Sequence, residues 1–324
     1  MQSREVSWSL GPTTVYGTLL RPDGEGPFPG VVLVAGSGPT DRDWNSPLLP
    51  GSNGSGRLLA EALGRAGIAS LRYDKRASGP HVRETIPLLI GKMSMQSHLD
   101  ELTGAVRALA AEDNVRADRI FGLGNSEGTL HVLNYAMHDV EPPFAGLVLT
   151  GPPGRAVGDV ARSQLAAQAT AIPNGAELLG LYDASIARFL AGEPIAADPV
   201  LPEDVTNILR ALESPANLPF ARELWTADAV APLGRVSVPV LVVIGKKDVQ
   251  VDWQVDGDPL RRAAAGREDV TFLFPENANH VLKHEPRPRS ELVQAQVMVG
   301  YNADDASLDP EAVAAIVAWL AARE

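Results

Sequence analysis

The stretch RIFGLGNSEGTLHVLNYA, residues 119–136, carries the strongest structural signal in the chain. RIFGLG is a short apolar run typical of a buried strand, and SEGTLHVLNYA has the pattern of a helix. At the junction lies Gly124-Asn125-Ser126-Glu127-Gly128. A sharp strand-to-helix turn crowds the backbone, so side chains two residues before and after the serine would clash. The pattern predicts a turn that presents Ser126 as a nucleophile; the alternative is a polar residue in a glycine-rich turn.

Similar apolar runs recur along the chain and alternate with helical patterns. They are continuous and rich in β-branched residues, as expected for strands buried on both faces. The alternation predicts an α/β fold with a mostly parallel central sheet and helices on both faces. An antiparallel pair, VSWSL and TTVYGTLL, opens the chain. The predicted core strands are residues 29–36, 68–73, 119–124, 145–151, 238–245 and 270–274.

Three helices are well marked by their apolar spacing and caps. The first, residues 56–67, ends at Gly67, a typical C-terminal cap, and the second covers residues 98–112. The last begins at Asp309 as N-cap and Pro310 as first helical residue. Its predicted buried stripe is Val313, Ile316, Val317 and Leu320.

One long segment breaks the alternation of strands and helices. Residues 152–235 contain several helical patterns and no clear strand. We therefore expect a core formed by residues 1–151 and 236–324, with residues 152–235 as a helical insertion between two of its strands.

Composition narrows the classes of protein and of partner. The chain has 324 residues, 45% of them hydrophobic, so it can bury a large core. A formal net charge of −12 argues against nucleic acids and anionic membranes as partners. The absence of cysteine excludes disulfides, thiolate catalysis and thiolate metal sites. With no apolar signal core near Met1, a cytoplasmic location is expected, although a secreted form whose signal has been removed stays possible.

A serine hydroxyl is a poor nucleophile unless a base takes its proton, and histidine is the usual base. His280 lies in the loop directly after the last core strand, where its side chain would project over the carboxyl edge of the sheet. His284, beside Lys283 and Glu285, has a surface pattern. His280 is therefore the predicted base. The remaining histidines are expected to be solvated or locally bonded; they are His81, His98, His131 and His138.

The third member of such a site is a carboxylate that orients the imidazole. Asp248 follows the buried run VPVLVVIG by a short loop, and Asp252 is the alternative four residues later. Because Asp248 is nearer the strand end, it is the predicted acid. Ser126, Asp248 and His280 would then lie at the carboxyl ends of three parallel strands.

Acyl transfer also needs hydrogen-bond donors for the developing oxyanion. The predicted donors are the backbone N–H of Glu127 and that of Ser37, which lies between Gly36 and Gly38 in the loop after the third strand. A phosphate-binding loop is the competing interpretation, but the remaining nucleotide-motif residues are missing. No two histidines have metal-ligand spacing, so no metal or other cofactor is predicted.

With these motifs the sequence resembles the α/β-hydrolase superfamily over nearly its whole length. LRYDKRASG is similar to a D-x-R-G-x-G segment common there, with Asp74, Arg76 and Gly79 matching and Ala77 departing. The loops resemble a serine-esterase branch related to cinnamoyl esterases and dienelactone hydrolases. The resemblance implies an α/β-hydrolase fold in which residues 152–235 form a lid.

The lid's aromatic residues could line an acyl pocket or pack between lid and core; they are Phe189, Phe220 and Trp225. For Asp41, Arg42 and Asp43 we expect an ionic clasp that holds the oxyanion loop.

The combined prediction is a serine hydrolase that acts on a small-molecule carboxylic ester through an acyl-enzyme. An amidase or peptidase would use the same groups. A protein of this fold that only binds a small ligand is the non-enzymatic alternative.

Overall fold

A single eight-stranded sheet runs through the computed structural model, which describes residues 1–170 and 172–323. Its strands are β1 (Gln2–Leu10), β2 (Thr13–Arg21), β3 (Phe28–Val34), β4 (Ala69–Tyr73), β5 (Val115–Asn125), β6 (Gly146–Thr150), β7 (Val240–Val243) and β8 (Val270–Leu273). The order across the sheet is β1-β2-β4-β3-β5-β6-β7-β8. Neighbours from β4 to β8 are parallel, and β2 pairs antiparallel with both β1 and β4. The predicted mostly parallel sheet with an antiparallel opening is confirmed.

Helices cover both faces of this sheet. They are α1 (Ser55–Arg65), α2 (Val82–Leu89), α3 (Met95–Ala110), α4 (Glu127–Ala136), α5 (Val157–Ala169), α6 (Gly175–Ala191), α7 (Glu203–Glu213), α8 (Phe220–Trp225), α9 (Val230–Arg235), α10 (Gly257–Ala263), α11 (Gln294–Val299) and α12 (Pro310–Ala321). Helices α5 to α9 lie between β6 and β7, and the described part of that segment contains no strand. None of the helices in residues 1–170 and 172–323 is long and apolar enough to cross a membrane.

Alternate residues of the central strands pack into two separate cores. In β3, Val31 and Leu33 face the core formed with α1 and α12, whereas Val32 and Val34 face the core formed with α3, α4 and α9. A strand whose two faces are both buried needs apolar residues at every position, which explains the continuous runs in the sequence. The sheet is therefore a rigid central layer whose carboxyl edge can hold side chains in fixed positions.

Helix α12 begins as predicted but buries a different stripe. The Asp309 carboxylate caps it by accepting the Ala312 N–H at 3.0 Å. Its buried residues are Ala312, Ile316, Trp319 and Leu320, whereas Val313 and Val317 are only half-buried. Val317 still packs against the same core, so the predicted stripe was wrong only at Val313, and Trp319 joins it by packing edge-on against Phe121 in β5.

Two regions without a predicted element contain short helices. Residues 75–94 include α2, which has one buried residue and an internal proline. Residues 281–309 include α11 and two single-turn 3-10 helices, Arg289–Glu291 and Gly300–Asn302. The second of these regions forms one wall of the cavity described below.

Candidate active site

Three loops at the carboxyl edge of the sheet bring the predicted residues together. Ser126 follows β5, Asp248 follows β7 and His280 follows β8. Parallel strands end at the same edge, so their following loops meet there. Ser126 and His280 line one cavity, and Asp248 hydrogen-bonds to His280 behind it.

The backbone at Ser126 adopts a conformation that L-residues rarely take. Its φ is 53° and its ψ is −121°, outside the regions allowed without strain, at a cost of about 1–3 kcal/mol. The Ser126 N–H donates to the Thr150 carbonyl at 2.8 Å, and the Ser126 carbonyl accepts from the Thr129 N–H at 3.0 Å. These bonds hold the turn, which reverses the chain between β5 and α4 and leaves the hydroxyl at the cavity.

The glycines on either side of Ser126 are required by close backbone contacts. A Cβ on Gly124 would lie 2.3 Å from the Gly128 carbonyl oxygen, and a Cβ on Gly128 would lie 2.3 Å from the Val34 carbonyl oxygen. Both contacts are with backbone, which cannot move aside as a flexible side chain could. Side chains two residues before and after the serine would therefore clash, as the sequence pattern predicts.

The Asp248–His280 pair is buried and fully engaged. His280 Nδ1 lies 2.7 Å from Asp248 Oδ2, while Asp248 Oδ1 accepts the N–H groups of Gln250 and Val251 at 2.8 and 2.9 Å. A carboxylate partner at Nδ1 favours the tautomer in which Nδ1 carries the proton and Nε2 is free to accept one. In the described part of the chain, Ser126 Oγ makes no hydrogen bond, so the hydroxyl can rotate.

The alternative acid and base occupy other environments. The Asp252 carboxylate accepts from Arg289 Nη2 at 2.8 Å and from backbone N–H groups of its own turn. His284 is exposed and its Nδ1 lies 3.2 Å from Asp309 Oδ2. Neither contacts His280 or Ser126, which leaves Asp248 and His280 as the residues joined at this edge.

Asn125 and Gly151 are positioning residues that the sequence analysis did not single out. Asn125 Nδ2 donates to the His280 carbonyl at 2.9 Å and to Thr150 Oγ1 at 3.1 Å, so it ties the turn after β5 to the histidine loop. Gly151 has a φ of +58°, and a Cβ there would lie 3.2 Å from the His280 ring. The only signal for Asn125 was its place inside the pentapeptide.

The two predicted oxyanion donors belong to the residue after Ser126 and to the loop after β3. Glu127 is the first residue of α4, so its N–H has no partner inside the helix. Ser37 lies in the exposed loop after β3 and lines the cavity together with Ser126 and Gly36. Both residues thus lie at the same site as the serine.

The cavity beside Ser126 has a volume of about 190 Å³. Among the described residues, no Asp, Glu, Lys or Arg side chain lines it. Its apolar lining residues are Trp44, Leu48, Leu49, Val281 and Met298, and its polar ones include Thr40, Ser46, Gln250, Tyr301 and Asn302. The Asn302 amide donates to the Ser46 and Leu49 carbonyls at 2.9 and 3.2 Å, which fixes one wall to the other.

The aromatic residues of segment 152–235 do not line this cavity. Phe189 and Trp225 are buried in a separate apolar cluster formed by α5 to α8. Phe220 packs on the rings of His98 and His131, with centroid distances of 4.4 and 5.9 Å. Of the two roles weighed for these residues, packing is the one observed, because the loop at residues 36–49 and the turn at 298–302 occupy the cavity walls instead.

An ionic clasp does hold the loop after β3. Arg42 donates from Nε and Nη2 to Asp74 Oδ2 at 2.9 and 2.7 Å, and Asp43 Oδ1 accepts from Arg72 Nε at 2.6 Å. Asp41 Oδ1 accepts the N–H groups of Asp43 and Asn45, each at 2.9 Å, which closes the turn. These contacts give the Asp41–Asp43 segment a structural role.

A buried network of charges and histidines lies beneath the turn. The Lys75 ammonium pairs with the Glu127 carboxylate, which also lies 3.1 Å from His131 Nε2. In the same network, Glu101 pairs with Arg76 at 3.1 Å and lies 3.1 Å from His98 Nδ1. The two histidines were expected to be solvated or locally bonded. They are locally bonded, each to a carboxylate on its own helix, and both are buried.

The network shifts the pKa of each of these carboxyl and imidazole groups. Burial alone would raise the pKa of Glu127, but the Lys75 charge and the His131 hydrogen bond outweigh it and hold that pKa well below its usual range. Burial raises the pKa of Glu101 to about 7, against the opposing charge of Arg76. Burial lowers the pKa of His98 to about 3 and that of His131 to about 4. Both imidazoles are therefore neutral at pH 7, beside an ionised Glu127.

The glycine contacts predict a strong difference between two glycine-to-alanine changes. Gly128→Ala should destabilise the fold by about 3 kcal/mol or more, because the new Cβ meets a carbonyl oxygen at 2.3 Å. The matched control is Gly180→Ala in α6, where nothing lies within 4 Å and a gain of about 0.5–1 kcal/mol is expected. Urea unfolding measures both, and equal stabilities for the two variants would contradict the close packing of the turn.

The buried histidines predict an acid-sensitive fold. As pH falls from 7 to 5, each histidine takes up a proton when unfolded but not when folded, so stability falls by up to about 1.4 kcal/mol per pH unit for each. Glu101, whose pKa is raised, acts in the opposite direction. His98→Asn and His131→Gln keep the hydrogen-bond donors without the titration. Urea unfolding between pH 7 and 5 should show a flatter decline for both variants, and an unchanged slope would refute the assignment.

The comparisons with known proteins agree on one fold. A sequence model described as the Alpha/beta hydrolase family matches residues 31–295. Esterase EstD of Thermotoga maritima is 29% identical over 266 residues, which are 82% of this chain and 57% of EstD. The chain thus spans a little over half the length of that curated relative.

Two solved structures are similar over nearly their full lengths. Est1E from Butyrivibrio proteoclasticus, in a structure with ferulic acid, superposes with a TM-score of 0.57 at 16% identity, covering 98% of this chain and 99% of that one. A proline iminopeptidase from Mycobacterium smegmatis gives a TM-score of 0.57 at 15% identity, covering 99% and 98%. At such identities the likeness shows the fold. Because the family match extends from β3 into α11, the chain belongs to the alpha/beta hydrolase family.

Proposed function

We propose that the protein is a serine hydrolase that cleaves small, uncharged carboxylic esters through an acyl-enzyme intermediate. The observation that carries the proposal is the 2.7 Å hydrogen bond from His280 Nδ1 to Asp248 Oδ2, behind a cavity that Ser126 and His280 share. The similarity to EstD supports an ester as substrate. Because this chain spans only part of EstD, the activity is inferred from the site and the relative together.

In the proposed acylation step, Ser126 Oγ attacks the ester carbonyl carbon while its proton passes to His280 Nε2. The carbonyl electron pair moves onto oxygen, where the N–H groups of Ser37 and Glu127 stabilise the charge. Asp248 orients the imidazole and stabilises its protonated form. Collapse of the intermediate expels the alcohol, which takes the proton from Nε2 and leaves an acyl group on Ser126.

Deacylation repeats these steps with water as the nucleophile. Nε2 accepts a proton from water as its oxygen attacks the acyl carbon, and the same backbone donors stabilise the second oxyanion. Collapse returns the proton to Ser126 Oγ and releases the carboxylic acid. No group beyond the three side chains and two amides is needed for this sequence.

The cavity lining supports a neutral substrate of modest size. A charge on the substrate would lose its hydration in this cavity without meeting an opposite charge. The apolar side chains, Leu48 and Met298 among them, suit a short alkyl or aryl group. Hydroxyl and amide groups on the other wall suit hydrogen bonds to a polar substituent.

Residues 152–235 are proposed to act as a lid over this site. Gln164 in α5 donates to the carbonyl of the cavity residue Gln250 at 3.3 Å and accepts from Gln294 at 2.7 Å. These bonds connect the insertion to the cavity rim. Separation of α5 from Gln250 and Gln294 would open the rim.

Substitutions at the proposed triad should remove turnover, and those at the neighbouring alternatives should not. Ser126→Ala should abolish labelling by a fluorophosphonate and hydrolysis of nitrophenyl esters. His280→Ala and Asp248→Asn should each lower kcat by about 10³-fold or more. The matched controls His284→Ala and Asp252→Asn should stay within about threefold of wild type. A folded wild-type protein that is not labelled would refute the hydrolase proposal. Loss of turnover in His284→Ala but not in His280→Ala would identify His284 as the base instead.

The neutral cavity predicts substrate selectivity. The kcat/KM for 4-nitrophenyl butyrate should exceed that for the similarly sized but anionic 4-nitrophenyl hemisuccinate by about tenfold or more, because the carboxylate must be desolvated. It should also exceed that for the long-chain palmitate ester. Comparison with the matching anilide separates esterase from amidase, and faster cleavage of the anilide or the hemisuccinate would contradict the assignment.

A further inference from the structure

The Lys75 side chain contacts two residues that belong to, or adjoin, the proposed oxyanion donors. It is 4% exposed, and its Nζ donates to the Gly36 carbonyl at 2.7 Å and to the Glu127 carboxylate. Gly36 directly precedes Ser37, and Glu127 directly follows Ser126. One ammonium group thus contacts the residues that carry both proposed oxyanion donors, although Lys75 itself does not line the cavity.

We infer that Lys75 is a positioning residue for the oxyanion site, which it holds in shape through the Gly36–Ser37 peptide and the Glu127 carboxylate. This inference rests on the proposed ester hydrolysis and adds a residue that acts through two others. Through these two residues, Lys75 sets the orientation and the donor strength of the two backbone N–H groups that stabilise the oxyanion.

The first part of the inference follows from peptide geometry. The Gly36 carbonyl and the Ser37 N–H belong to one planar trans peptide, so they point in opposite directions. The hydrogen bond from buried Lys75 to the Gly36 oxygen therefore turns the Ser37 N–H away from the lysine, toward the cavity that Gly36 and Ser37 line. A cation on the carbonyl oxygen also polarises the amide, which makes its N–H a stronger donor.

The second part follows from the charge of Glu127. Its carboxylate is 4% exposed and belongs to the residue next to the nucleophile. An uncompensated anion there would oppose the negative charge that develops on the substrate oxygen, because a buried site screens charges poorly. Pairing with Lys75 cancels that charge, and His131 donates to the same carboxylate oxygen. Glu127 can then hold Lys75 in place without raising the barrier to acylation.

The Arg76–Glu101 pair of the same network offers a matched control. Arg76 and Glu101 form a second buried ion pair, with side chains 9% and 2% exposed, from the residue next to Lys75. This pair contacts neither Gly36 nor Glu127 among the described residues. Loss of the Arg76–Glu101 pair therefore reports what a purely structural defect in the same loop does to activity.

The test compares Lys75→Met, Lys75→Met with Glu127→Gln, and Arg76→Met. The double variant removes both charges, so it should fold even if the uncompensated Glu127 prevents folding of the single variant. For each protein we would measure melting temperature, kcat and KM for 4-nitrophenyl butyrate, and Ki for an alkyl trifluoromethyl ketone. That ketone adds the serine hydroxyl and places an alkoxide in the oxyanion site, so Ki follows the oxyanion donors and KM does not.

Lys75→Met should lower kcat by about 100-fold and raise the ketone Ki by a similar factor, with KM within about threefold of wild type. The double variant should recover part of this loss but remain at least about tenfold below wild type, because the Gly36 carbonyl still lacks its donor. Arg76→Met should lose melting temperature yet keep kcat and the ratio of Ki to KM within about threefold.

The outcomes separate this inference from the proposed function. Wild-type kcat and Ki in the folded Lys75 variants, or an equal loss in Arg76→Met, would overturn the positioning role alone. A wild-type protein without Ser126-dependent ester hydrolysis would overturn the proposed function and the inference with it. Ester hydrolysis by wild type with loss confined to the Lys75 variants supports both.

Discussion

The contact between the β5–α4 turn and the end of β3 is the constraint on which the rest of the site depends. A Cβ on Gly128 would lie 2.3 Å from the Val34 carbonyl oxygen, so the start of α4 packs directly against the neighbouring strand. At this close approach Ser126 lies beside the loop after β3, and its backbone has a φ of 53°. The strain is sustained because hydrogen bonds to Thr150 and Thr129 and close packing determine the turn from several sides.

The same packing also places a charged side chain in the interior. Glu127 is the first residue of α4, and a helix that starts so close to the sheet buries its first turn. The positive end of the helix dipole favours a carboxylate there, but burial of a lone anion is costly. Lys75, two residues after the end of β4, supplies the opposite charge. The strained turn and the buried ion pair thus both follow from the close packing of α4 against the end of β3.

Local signals were sufficient to predict the fold and the edge at which the candidate residues meet. Continuous apolar runs identify buried strands, and the residue after such a strand lies at the carboxyl edge wherever the sheet is parallel, as for His280. The pairing of Lys75 with Glu127 was out of reach, because it joins residues 52 positions apart through strand order that no local pattern encodes. The cavity wall at residues 298–302 was missed because a single-turn helix leaves no periodicity to detect.

The energetics of buried charges favour a role for the Lys75–Glu127 pair other than stability. A buried ion pair loses the hydration of two charged groups, and their mutual attraction offsets this loss only when the geometry is good. Apolar residues of equal volume therefore often stabilise a core as well or better. Here the lysine has a second partner, the Gly36 carbonyl, that an apolar side chain could not replace. That bond acts on a peptide group in the wall of the cavity. Stability alone does not require a cation at this position, whereas the inferred orientation of the Ser37 N–H does require a donor to the Gly36 carbonyl.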